Sequence, residues 1–247
     1  MSARSFCWPK ETVVRVLRDF VTLVESERKI VAEVVADDQG EEGYAALLSD
    51  LASRWQLFGR LANARFLLSA PVGEDVDDWL EAEMADVVFW KHCRRHPPAS
   101  ARDAGQLDEL PSSTDPSLVC VSSATFLHLM RNFEMLVVSL DRVGSIEGEL
   151  PPAQAAALFA EFCREWRVFE LLAEDAAILS RALGGAILGA LDDLPVWDAN
   201  FQSHRSPRLP PRAAVNCVPS SSAWAVCGGS RPVDPQAKSL MARTRRC

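Results

Sequence analysis

Two histidines and a cysteine in the segment WKHCRRHPP have the spacing that best suits metal chemistry in this chain. His92 and His96 are four residues apart, so on a helix both imidazoles project from one face, as in H-E-x-x-H zinc sites. In those sites a Glu follows the first His, whereas Cys93 follows it here. Basic residues ahead of Pro97 also suit the C-terminal turn of a helix. We therefore predict no metal site at His92 and His96, and no cofactor.

Two further side chains could serve as nucleophile or base, and both have a simpler structural explanation. Cys163 is flanked by Glu161 and Glu165, and a nearby carboxylate raises the pKa of a thiol, so we expect a small buried apolar side chain. His128 lies in an apolar helical pattern, where a core or boundary histidine is commoner than a catalytic one. The sequence also has no Gly-rich phosphate loop and no G-x-S-x-G motif. We predict a protein that is not an enzyme and has no catalytic residues.

Composition limits the remaining possibilities. With 247 residues, 48% of them hydrophobic, the chain can bury a core. The net charge is -8, yet residues 200–247 hold eight Lys or Arg and one acidic residue, Asp234. An acidic body is poorly suited to nucleic acid. The first residues lack the apolar run of a signal peptide, and ALGGAILGAL is too short to span a bilayer. Seven cysteines at irregular spacing then predict reduced thiols and a cytoplasmic location.

Apolar residues recur at helical spacing through most of the chain, and no segment alternates as a strand would. We predict an all-α fold with five helical segments: residues 13–31, 44–62, 74–96, 116–144 and 151–184. Pro116 and Pro151 suit helix starts, and Gly184 suits the last helix end. The Pro-rich residues 97–117 are predicted to form a loop, and the residues after 198 a disordered tail.

Parts of the chain are repeated. SRWQLFGRLANARFLL at residues 53–68 matches REWRVFELLAEDAAIL at residues 164–179, at an offset of 111 residues. The first helix then falls on the fourth at an offset of 113, which aligns Cys7 with Cys120. Two consecutive helices that recur in the same order indicate a duplicated unit.

The repeat resembles the spectrin-repeat superfamily of three-helix bundles. RWQLFGRLANARFLL resembles the third helix of such a repeat, and DDWLEAEMADV resembles the opening of the next one. The resemblance implies a partial repeat of two helices at residues 1–70 and a complete repeat at residues 71–184. A basic, disordered tail at residues 185–247 completes this division. Trp55 and Trp166 would then be core anchors, and Trp166→Ala should unfold the protein more readily than Trp90→Ala.

Two functions remain open. The resemblance implies a non-enzymatic scaffold or spacer that binds cytoskeletal or nuclear-envelope-linked proteins. The alternative is a compact helical adaptor that binds a partner helix in a groove between its two halves. In the tail, RSPRLPPR suits an SH3 domain and MARTRRC an acidic surface, although an ordinary solvated tail explains both. Gly185 and Gly189 have the spacing of a close helix contact, but a helix end explains Gly184 and Gly185 more simply. Self-association stays open.

Overall fold

A computed structural model describes residues 5–70, 74–92, 97, 115–184 and 194–196. These residues are mostly helical, as predicted, with one small two-stranded sheet. The strands are β1 (Ser5–Pro9) and β2 (Leu118–Ser122). The helices are α1 (Lys10–Ala36), α2 (Gly40–Arg54), α3 (Leu57–Ser69), α4 (Glu74–Met84), α5 (Ser123–Glu147), α6 (Pro152–Glu165) and α7 (Val168–Ala182).

The elements repeat in the order strand, helix, helix, helix. β1 and α1 to α3 form the first half, and β2 and α5 to α7 form the second half. The offsets read from the sequence relate the two halves: 113 residues carry the start of α1 onto the start of α5, and 111 carry Leu57 onto Val168. The sequence repeat is therefore a structural repeat, and its unit begins with a strand.

The two halves pack into each other. Helix α1 of the first half packs mainly on α7, and the equivalent helix α5 packs mainly on α3. Helix α2 packs on its own counterpart α6, and β1 pairs with β2. Each contact has its mirror in the other half, so the arrangement is approximately two-fold symmetric. Helices from both halves contribute to one hydrophobic core.

A disulfide lies at the centre of this symmetry. β1 and β2 are antiparallel, with Cys7 directly opposite Cys120, and the two sulfur atoms are bonded. The prediction of reduced thiols is therefore wrong for these two cysteines. Equivalent residues meet each other only near a two-fold axis, which explains why cysteines 113 positions apart in the repeat become partners. Disulfides are typical of oxidising compartments, and the cytoplasmic location stays a prediction from the sequence.

Each half bends where a single helix was predicted. The helical segment predicted at residues 44–62 is divided between two helices, because Gln56 adopts a left-handed conformation with φ 51° between α2 and α3. Arg167 does the same between α6 and α7, with φ 52°. Neither residue is a glycine, so the sequence carries no ordinary sign of a helix end here. The repeated segment that begins at Ser53 therefore contains a helix corner, the bend between two consecutive helices.

Other boundaries also differ from the predictions. The prediction of no strands is wrong, because β2 occupies the place predicted for the start of the fourth helix. Helix α5 instead begins after Ser122, whose hydroxyl accepts a hydrogen bond from the Thr125 amide. The third segment is helical only as far as Met84. The predicted start at Pro151 and Pro152 is confirmed by α6.

The degree of burial of the tryptophans agrees only in part with the predictions from the sequence. Trp166 is buried, as predicted, whereas Trp55 is only half-buried. Trp90, expected to be the more tolerant position, is as deeply buried as Trp166. The Trp90 amide donates a hydrogen bond to Ser139, and its carbonyl accepts one from Arg142. The structure therefore gives no reason to expect that Trp90→Ala is the milder change.

Several predictions concern residues outside the described part of the chain. They include Cys93, His96, most of the 97–117 loop, Gly185, Gly189 and the tail motifs. Gly184 is described and has a positive φ of 75° immediately after α7, which confirms the predicted helix end. Within the described residues, no helix is both long enough and apolar enough to cross a membrane.

Candidate binding groove between the two halves

Of the histidine pair with metal-like spacing, the structure describes His92 alone. His92 follows Trp90 and contacts its ring edge-on, with the ring centroids 6.4 Å apart. Its potential partners Cys93 and His96 lie outside the described residues. Within the ranges that the structure does describe, no three His, Cys, Asp or Glu side chains are grouped closely enough to hold a metal ion.

Cys163 is a buried free cysteine, as predicted. Burial raises the pKa of its thiol well above the usual value, and Glu147, Glu27 and Glu170 raise it further. These three carboxyl groups belong to helices other than α6, which carries Cys163. A thiol with a raised pKa is a poor nucleophile, so Cys163 acts as a small core residue.

His128 belongs to a polar cluster between α5 and α7. Asp175 is fully buried, and its Oδ1 accepts a hydrogen bond from Asn132 at 2.8 Å. His128 Nε2 lies 4.0 Å from the same oxygen. Burial raises the pKa of Asp175 well above its usual value, opposed by the Asn132 hydrogen bond and reinforced by Glu174. Burial also disfavours the charged form of His128, and it therefore lowers the pKa of this imidazole. The cluster thus favours uncharged side chains, and the sequence pattern gave no sign of Asp175.

The Asp175 carboxyl predicts a defined pH dependence of stability. Because its pKa is raised by folding, the contribution of Asp175 to the free energy of unfolding should fall as pH rises above about 4, by at most about 1.4 kcal/mol per pH unit. Asp175→Asn preserves the shape and the acceptor oxygen but cannot titrate. The variant should therefore gain stability relative to wild type as pH increases, until the pH exceeds the folded-state pKa of Asp175.

Urea unfolding of both proteins between pH 4 and pH 8 measures this difference. His128 has a lowered pKa, so its own contribution is lost as pH falls below about 6.5, which is the opposite pH trend to that expected for Asp175. A stability difference that does not change with pH would show that Asp175 is not protonated preferentially in the folded state.

A groove of about 460 Å³ lies where the first half meets the second. The corner between α2 and α3 forms one side, and the C-terminal part of α5 with α6 forms the other. Small residues such as Ala52 and Gly144 keep it open, and Asp141 and Glu147 bring two carboxyl groups. Its large apolar lining residues are Leu57, Phe58, Leu140, Val143 and Phe159.

A second depression is larger, at about 650 Å³, and is more open to solvent. All six of its described lining residues, from Lys10 to Asp19, belong to the first three turns of α1. Asp19 is already paired with Arg60 of α3. The described lining of this depression comes from one helix, whereas the described lining of the groove comes from four helices, so the groove is the better-defined candidate site.

The internal repeat shows what makes the groove. Gly144 of α5 corresponds to Val31 of α1, and Phe58 of α3 corresponds to Phe169 of α7. Phe169 is covered, with 6% of its surface exposed, whereas Phe58 is 41% exposed. Thus an aromatic ring that is buried in one half is exposed in the other, in a groove that a glycine also lines. The fold alone does not require this exposure, because the second half buries the same position.

Two ion pairs hold α3, which supplies Phe58. Arg65 pairs with the buried Glu134 of α5 across the two halves, at 2.6 Å. Arg60 pairs with Asp19 of α1, and its guanidinium also lies over the Trp55 ring, 5.4 Å from the centroid. Both arginines therefore fix α3 against its neighbours. Phe58 is presented by a helix that is anchored on two sides.

Other large apolar side chains are also exposed in the first half. Phe66 of α3 is 59% exposed and Val35 of α1 is 76% exposed. Their counterparts in the second half are the smaller Ala177 and Gly148. Phe66 is not one of the described residues that line the groove. The excess of exposed apolar surface is therefore a property of the first half, and Phe58 is the member that faces the groove.

Comparison with protein-family models, with curated proteins and with solved structures found no match to the chain. The resemblance to spectrin repeats therefore depends on the sequence patterns alone. The function must be inferred from the site itself.

Proposed function

We propose that this protein is a non-enzymatic protein-interaction module that binds a segment of a partner in the groove between its two halves. The observation that carries the proposal is the exposed Phe58 in a groove that Gly144 also lines, whereas Phe169, the counterpart of Phe58 in the second half, is covered. A groove with apolar lining and a few polar groups suits an amphipathic helix or an extended peptide. This is the compact adaptor of the two functions considered from the sequence.

The packing between the halves favours the compact adaptor over an extended rod. In a rod of tandem bundles each bundle would bury its own apolar faces, whereas here α1 lies on α7 and α3 lies on α5. A spectrin-like scaffold associated with the cytoskeleton in the cytoplasm, with one partial and one complete repeat, stays a prediction from the sequence. Its supporting observation is the resemblance of the repeated segments.

Filling the groove should abolish binding. Gly144→Val introduces the residue that the first half carries at the same place, Val31, and the added Cβ meets no atom within 4 Å. The helix should tolerate it, since Val has a higher helix propensity than Gly. Affinity purification from the native source should recover a partner with wild-type protein and lose it with Gly144→Val. The recovered partner is then purified and its affinity measured by calorimetry.

The chain offers a matched control. Gly148 is one turn further along, does not line the groove, and corresponds to Val35. A Cβ there makes only ordinary contacts, at 3.9 Å or more. Gly148→Val should therefore retain the partner with unchanged affinity. Recovery of the same direct partners by all three proteins, with equal affinities, would show that the groove is not the binding site.

A further inference from the structure

We propose that the groove selects partner segments that carry a Lys or Arg side chain next to a large apolar side chain. This inference rests on the proposed function, because it assigns a partner chemistry to the same groove. Three features of the molecule support it: Glu147, the counterpart of Glu147 in the first half, and the apolar lining of the groove.

Glu147 is a half-buried carboxyl group without a cationic partner among the described residues. It is the last residue of α5, where the negative end of the helix dipole disfavours a carboxylate, and the last turn of α5 contains no basic residue. Burial raises the pKa of Glu147. Asp141, six residues earlier, adds a second acidic group to the lining. The groove therefore has a negative charge that its own described side chains do not neutralise.

The fold does not need a carboxylate at this position. The counterpart of Glu147 in the first half is Val34, an apolar side chain with only 9% of its surface exposed. The scaffold can thus place a valine where the second half has Glu147. A half-buried charge lowers stability unless it is paired, so the substitution indicates a ligand that supplies the opposite charge.

The apolar lining completes the description of the ligand. Leu57 and Phe58 lie on one wall and Leu140 on the other, and together they offer contacts to a large apolar side chain. A wholly apolar ligand would bury Glu147 further without a partner, at a cost in free energy. A Lys or Arg side chain instead gives Glu147 a charge-assisted hydrogen bond while its methylene stem packs on apolar surface.

A displayed library of random 12-residue peptides, selected on the full-length protein, tests this partner chemistry. Selected sequences should be enriched in Lys or Arg beside Leu, Phe, Trp or Met. One selected peptide is then synthesised, and its affinity is measured for wild type and for four variants at two salt concentrations. The variants are Gly144→Val, Gly148→Val, Glu147→Gln and Glu149→Gln. Glu149→Gln removes the same charge two residues further on, at an exposed position that does not line the groove.

We expect Glu147→Gln to weaken the peptide by about tenfold or more, the factor for loss of one charge-assisted hydrogen bond. Glu149→Gln and Gly148→Val should leave the affinity unchanged, and Gly144→Val should abolish binding. Higher salt should weaken wild type more than Glu147→Gln.

The other outcomes separate this inference from the proposed function. Peptides that are lost with Gly144→Val but show no basic enrichment, and bind Glu147→Gln as well as wild type, would overturn the inference alone. Peptides that bind Gly144→Val normally, or no enrichment at all, would overturn both. A wild-type dimer in sedimentation that Gly144→Val dissociates would identify a second copy of this chain as the occupant and would overturn the inference.

Discussion

Replacing Trp8 with alanine should lower the free energy of unfolding by about 3–5 kcal/mol, the range for removing a buried aromatic side chain. Trp8 is 1% exposed, and its ring stacks on Phe126 of the second half with centroids 6.0 Å apart. Its indole Nε1 donates a hydrogen bond of 2.9 Å to the carbonyl oxygen of Leu68 at the end of α3. The side chain therefore joins β1 to two helices at once. Urea denaturation of the wild type and the variant measures the loss.

A conservative variant separates packing from hydrogen bonding at this position. Trp8→Phe retains an aromatic ring but cannot donate to Leu68, so it should lose about 1–3 kcal/mol, less than the alanine variant. If Trp8→Ala unfolds with the same midpoint as wild type, β1 does not pack on the core as described.

Removing the disulfide should lower the free energy of unfolding by about 2–4 kcal/mol. The bond joins Cys7 to Cys120, which are 113 residues apart, so it constrains a long loop in the unfolded chain. The double variant Cys7→Ser/Cys120→Ser should therefore melt at a lower temperature than the oxidised wild type. Thermal unfolding followed by circular dichroism provides the measurement.

Reducing agent provides the control for this variant. Dithiothreitol should lower the melting temperature of wild type toward that of the double variant and should leave the double variant unchanged. Cys163 is buried and free, so it should not contribute to the difference. Identical melting temperatures for oxidised wild type, reduced wild type and the double variant would mean that the two cysteines are not bonded.

Much of the helical content was predictable, because buried apolar residues recur at helical spacing in every long helix. The repeat at offsets of 111 and 113 was also visible, and it aligned Cys7 with Cys120. The alignment alone did not predict the two-fold packing that brings equivalent residues together. Without that packing, two distant cysteines in an irregular set give no reason to expect a bond.

The helix corners illustrate a second limit. Gln56 and Arg167 have left-handed backbone conformations that side chains other than glycine adopt rarely. The apolar stripe continues across both corners because each new helix packs on the same core, so periodicity alone predicts one continuous helix. The strands were missed for a related reason, since five residues with two buried positions give too short an alternation.

The groove could be described from the sequence only as a general possibility. Its location depends on which helices of the two halves become neighbours, and no local pattern specifies that. Once the repeat is placed in space, the informative differences are single residues: Gly144 against Val31, and Glu147 against Val34. Both differences can be read from the aligned sequences. They could be recognised as features of a groove only once the structure showed that Phe58 is exposed.

Site-specific photo-crosslinking tests the binding groove most directly. The photoreactive residue p-benzoylphenylalanine replaces Phe58 or Phe66, two exposed rings on the same helix of which only Phe58 is among the groove residues. Each protein is irradiated with the selected peptide at equal occupancy. Binding in the groove predicts a crosslinked product from position 58 and none from position 66. Equal yields from both positions, or a product from position 66 alone, would contradict it.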